Sequence, residues 1–86
     1  SNTLDTEGRL VYDMQKSVDK YEADNDITGN DSWSEVNRAL DANEIDSDMG
    51  TWVKFFLSKN KDFDKAGVLN ITKASGENKG VYIHRY

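Results

Sequence analysis

The residues with the most chemistry in their spacing lie between Asp24 and Glu35, in the run Asp-Asn-Asp-Ile-Thr-Gly-Asn-Asp-Ser-Trp-Ser-Glu. Oxygen-bearing side chains stand at its first, third and fifth positions (Asp24, Asp26, Thr28). A glycine stands at its sixth (Gly29) and a carboxylate at its twelfth (Glu35). A hard cation such as calcium takes about six to eight oxygen ligands; a loop of this spacing gathers them when a glycine makes the sharp turn and a terminal Glu closes the shell. Asp24, Asp26, Thr28 and Glu35 are therefore the candidate calcium ligands, and no other cofactor is expected. The same run supports a plainer reading. Asn, Asp and Gly are turn formers, and Ser32-Trp33-Ser34-Glu35 fits a capping box, with Ser32 as N-cap and Glu35 reaching back from the third helical position.

The spacing resembles an EF-hand loop, with two departures. Asp31 stands at the eighth position, where EF-hands place an aliphatic residue that pairs with a second loop. The candidate second loop, Asp62-Phe-Asp-Lys-Ala-Gly67 continuing through Leu69 and Asn70, ends in Lys73 where the closing Glu belongs. A loop without a true partner lacks preorganisation, so the run is expected to be mainly a structural turn, with at most weak calcium binding, on the order of 10⁻⁴–10⁻³ M.

Little in the chain points to catalysis. There is no cysteine, and the single histidine, His84, falls beside the C-terminus on the face of a strand opposite Val81, Ile83 and Arg85. No Gly-rich phosphate loop, nucleophile elbow or zinc-binding helix pattern is present. No enzymatic activity and no catalytic residue are expected. Sixteen acidic residues against eleven basic ones give a formal charge of −5. That balance argues against nucleic acid, whose phosphates need clustered Lys and Arg. It suits a cation site, a basic partner, or simply good solubility.

The elements that must position these residues follow from periodicity. Leu4, Val11, Met14, Val18 and Tyr21 fall on one face, widened by Leu10, with charged residues opposite, which predicts a helix over about 6–23. Trp33, Val36 and Leu40 predict a second, short helix over about 33–43. Residues 46–50 read as a turn. Thr51 to Ser58, rich in aromatic and β-branched residues, reads as a strand. Residues 67–73 and 81–86 alternate and read as two more. The expected fold is one α+β domain over 1–86, with the long helix and a short second helix packed on a three-stranded antiparallel sheet. Trp52, Phe55, Phe56, Tyr82 and Tyr86 are expected mainly in its core.

The stretch from Asp13 to Asp26 is similar to the end of the long first helix of type IV pilins and type II secretion pseudopilins, where an aliphatic residue and a Tyr precede an Asp-Asn turn. Val18, Tyr21 and Asp24-Asn25 match that pattern; Asp26 stands where Gly is usual, Ile27-Thr28 replaces the usual Tyr-Pro, and the C-terminal cysteine pair of many pilins is missing. The resemblance implies a structural subunit, the outer head of a cell-surface filament or secretion system, whose partners are other copies or related subunits. It would meet the membrane only through an upstream apolar helix; Ser1-Asn2 resembles the scar of a removed expression tag. Cell-surface or extracellular location follows from the same resemblance. The alternatives are a calcium-binding helix-loop-helix module, or a small acidic inhibitor or adaptor that presents carboxylates to a basic partner.

Overall fold

The computed structural model describes residues 2–65, 69–74 and 80–85, with side chains for residues 8–65, 69–72 and 83. The elements are α1 (Asn2–Asp24), α2 (Asp31–Asp41), α3 (Ser47–Lys59), α4 (Lys61–Lys65), β1 (Leu69–Ala74) and β2 (Gly80–Arg85). Val11, Met14, Val18 and Tyr21, spaced by alternating steps of three and four, share the inner face of α1, and Val18 is completely enclosed. The helix ends where Asn25 uses both its backbone N–H and its side-chain amide to donate to the Tyr21 carbonyl, each at 3.0 Å. Residues 25–30 then turn sharply. Gly29 sits at φ +82°, in the left-handed region that glycine enters without steric cost.

The cap of α2 differs from the expected one. Asn30 is the N-cap, with extended backbone, and its Oδ1 accepts from the Trp33 N–H at 2.9 Å. Ser32, expected in that role, lies inside the first turn with no exposed surface, and its hydroxyl donates to the Phe63 carbonyl at 3.3 Å. Asn-x-x-Trp and Ser-x-x-Glu offer the same chemistry two residues apart. Burial decided between them, because the Asn30 register turns Ser32, Trp33, Val36 and Ala39 inward together.

The larger correction concerns 51–58. This segment is not a strand but the body of α3, so the expected three-stranded antiparallel sheet is absent. Asp46 is the N-cap, and its Oδ1 accepts from the Met49 N–H at 2.8 Å. Gly50, Val53 and Leu57 are buried, a spacing of three and four. Val53, Phe55 and Leu57 also satisfy a period of two, so the segment carries both patterns, and the Asp46 cap together with burial on α1 and α2 selects the helical one. Gly50 marks the tightest approach: a Cβ there would lie 2.8 Å from Leu40 Cδ2.

Only β1 and β2 form a sheet among the described residues, an antiparallel pair in the register Leu69↔Arg85, Ile71↔Ile83 and Lys73↔Val81. They occupy the two later segments where strands were expected. The long helix is not laid across this sheet. It packs on α3, while α2 covers β1. The core gathers Val18, Trp33, Val36, Ala39, Ile45, Val53, Leu57, Leu69 and Ile71 from every element except α4 and β2, with Phe63 of α4 and Ile83 of β2 packed against it. Each fully buried aliphatic side chain there contributes about 1.5–3 kcal/mol relative to exposure.

Candidate functional site

The four expected calcium ligands point to different tasks. Asp24 Oδ2 pairs with Lys20 Nζ at 2.7 Å, an exposed contact one helical turn apart. Asp26 Oδ1 accepts from the Thr28 N–H at 3.0 Å, a local Asx turn. Thr28 is exposed in the same turn. Glu35 is engaged elsewhere. Its Oε2 accepts from the Ile71 N–H at 2.7 Å, and its Oε1 lies 2.5 Å from Arg38 Nε. Among the described residues, no group of three or more Asp, Glu or His side chains gathers around a point where a metal ion would sit.

Glu35 and Arg38 instead close the open edge of β1. Arg38 Nη2 donates to the Ile71 carbonyl at 3.2 Å, so one helix face supplies an acceptor for the N–H and a donor for the C=O of the same strand residue. Arg38 also reaches Glu44 at 2.7 Å. The Arg38 hydrogen bond holds the Glu35 carboxyl below the usual carboxylate range; burial opposes this and the Ile71 N–H assists it. An edge strand with unpaired backbone groups is a liability, and this pair removes it at Ile71.

Two further polar features lie in the interior. Trp33, 4% exposed, stacks on Tyr21 with centroids 5.5 Å apart and donates Nε1–H to Glu22 at 3.2 Å, while Lys54 Nζ stands 5.4 Å over its ring. This aromatic junction ties α1, α2 and α3 together. Beside it, the Tyr21 hydroxyl donates to Asp64 Oδ2 at 2.5 Å. Asp64 is 1% exposed, and its Oδ1 has no hydrogen-bond partner among the described residues. Burial, reinforced by this hydrogen bond and the nearby carboxyl, pushes the Tyr21 hydroxyl up to about 12. His84 pairs with Asn70 across the hairpin through its backbone, and its side chain lies outside the described residues, as do those of Tyr82 and Tyr86.

A mostly apolar concave surface lies between the first half of α1 and the start of α3. A cavity of about 540 Å³ is lined by Gly8, Leu10, Val11 and Met14 on α1, by Met49 and Trp52 on α3, and by Asp46 and Asp48 at its edge. Leu10 is 54% exposed, Trp52 44% and Met49 37%. Trp52, expected in the core, is outside it and stacks on Phe56, with centroids 5.9 Å apart; Phe56 in turn meets Phe63 edge-on. Phe55 and Phe56 pack half-buried against the core. Sequence reasoning missed this groove because it needs α3 to be a helix. The one available signal was Leu10, which widens the apolar stripe of the first helix beyond what a single contact requires. No protein-family model, curated protein or solved structure matches the chain.

Proposed function

We propose that this protein is a non-catalytic binding module that docks a segment of another protein in the groove between α1 and α3. The observation that carries it is the exposed apolar set Leu10, Met49 and Trp52 around a concave surface. Trp and Met are enriched at protein interfaces, and clustered apolar exposure at a concavity is the usual mark of a contact surface. Trp52 is preorganised by Phe56, so little side-chain freedom is lost on binding.

Two other functions draw less support. The filament-subunit reading relied on a layout that ends in a three-stranded sheet, and 51–58 is helical. Two helices joined by a short turn and followed by a hairpin also occur in proteins that set the second helix into DNA. Here Asp46 caps that helix, Asp48 lies in its first turn, and the chain has a formal charge of −5, so phosphates would be repelled.

The test is titration with three idealised amphipathic helical peptides, each with a leucine face and a polar face of Lys, Gln or Glu, followed by tryptophan emission and calorimetry. At least one peptide is expected to bind with a blue shift from Trp52, and Leu10→Ser with Trp52→Ser to abolish it. Binding by none of the three, or binding indifferent to both substitutions, contradicts the proposal.

A further inference from the structure

We infer that the segment taken by the groove is a cationic amphipathic helix of a partner protein. The inference rests on the docking function proposed above and names its ligand. Three observations converge on it. The groove is formed between two helices, and its lining residues recur at helical steps on both walls: Leu10, Val11 and Met14 on one, Met49 and Trp52 on the other. Such a trough accepts the apolar ridge of a third helix, which presents anchors at the same steps. Gly8 adds no side chain to the α1 wall, and a Cβ there would meet nothing within 4 Å among the described residues.

Charge then selects among helices. Two carboxylates, Asp46 and Asp48, line the groove, and among the described residues no Lys or Arg does. Neither has a cationic partner among the described residues: the ion pairs present join Lys20 to Asp24, Arg38 to Glu35 and Glu44, and Lys54 to Glu22. Lys16 of α1 stands 5.6 Å over the ring of Tyr12. A helix seating leucine-like side chains between Trp52 and Leu10, with lysines or arginines flanking them, would meet both carboxylates at the rim. Charge complementarity of this kind steers association and rejects acidic competitors.

The same three peptides separate this inference from the function beneath it. The Lys peptide is expected to bind at least about tenfold more tightly than the Gln peptide in low salt, with the gap narrowing at high salt, and the Glu peptide not to bind. Asp46→Asn with Asp48→Asn tests the rim directly. Asn keeps the N-cap acceptor for Met49, so the fold is retained while both charges go. That variant should bind the Lys peptide about threefold to tenfold more weakly and the Gln peptide unchanged. Equal binding of the Lys and Gln peptides, still lost with Trp52→Ser, overturns the cationic helix and leaves the docking groove standing. Loss of all binding overturns both. Sedimentation of the protein alone is expected to show a monomer; a dimer dispersed by Trp52→Ser would make a second copy the occupant and overturn the inference.

Discussion

Tyr21 and Asp64 lie 43 positions apart and share one short hydrogen bond in the interior. Tyr21→Phe would leave the Asp64 carboxyl enclosed with neither oxygen partnered, an outcome that costs about 1–3 kcal/mol. Urea unfolding should register that loss, and Asp64→Leu added to Tyr21→Phe should lose less than the two single changes summed, since both polar groups then leave together. A raised tyrosine means the native state holds the neutral hydroxyl more firmly than the unfolded chain, where the value is near 10. The stabilisation is therefore complete below about pH 10 and lost as pH rises from there through about 12. Melting temperature should fall over that window and fall less steeply for Tyr21→Phe. Glu35 has the opposite sign. Its carboxyl is held low, so its contribution is present above the ordinary Glu value near 4.3 and lost as pH falls through the lower native value. Glu35→Ala should cost about 1.5–3 kcal/mol through the bonds to Ile71 and Arg38. The sequence offered Glu35 as both a cap partner and a calcium ligand. Neither pattern can show that a strand edge arrives at that carboxylate from 36 residues away.

Elements were legible where one pattern stood alone. The stripe of α1 has no competing period, and its span, 2–24, exceeds the expected 6–23 only at the ends. The hairpin was legible because Leu69 and Ile71 alternate with Asn70 and Thr72 and can satisfy only a strand. Between Thr51 and Ser58 the two periods coincide at Val53 and Leu57, and the aromatic content tipped the expectation the wrong way. The deciding signal was Asp46, an N-cap three residues before Met49 that reads equally well as part of a turn. Caps give the sharpest tests at this scale. Asn30→Ala should lower stability by about 0.5–2 kcal/mol, and Asn30→Asp should leave it nearly unchanged. Ser32→Asp should be worse than Ser32→Ala, because it forces a larger, charged group into a site with no exposed surface.

At the scale of the molecule, packing α1 on α3 rather than on a sheet shapes the surface proposed for docking. A helix laid on a sheet would bury Leu10 and Met14 beneath strands. Two helices side by side leave a trough along their outer seam, lined here by Gly8, Leu10, Val11 and Met14 on one side and by Asp46, Asp48, Met49 and Trp52 on the other. The acidic balance of the chain is plain in the sequence, but the placement of Asp46 and Asp48 beside Leu10 was not legible, because they meet only through the α1–α3 contact. The most direct measurement is a map of backbone amide shifts on adding the leucine–lysine helical peptide. The largest shifts should fall at Leu10, Val11, Met14, Asp48, Met49 and Trp52, and disappear in Trp52→Ser. Shifts concentrated on the hairpin or the 25–30 turn, or no shifts at millimolar peptide, would contradict a docking groove between α1 and α3.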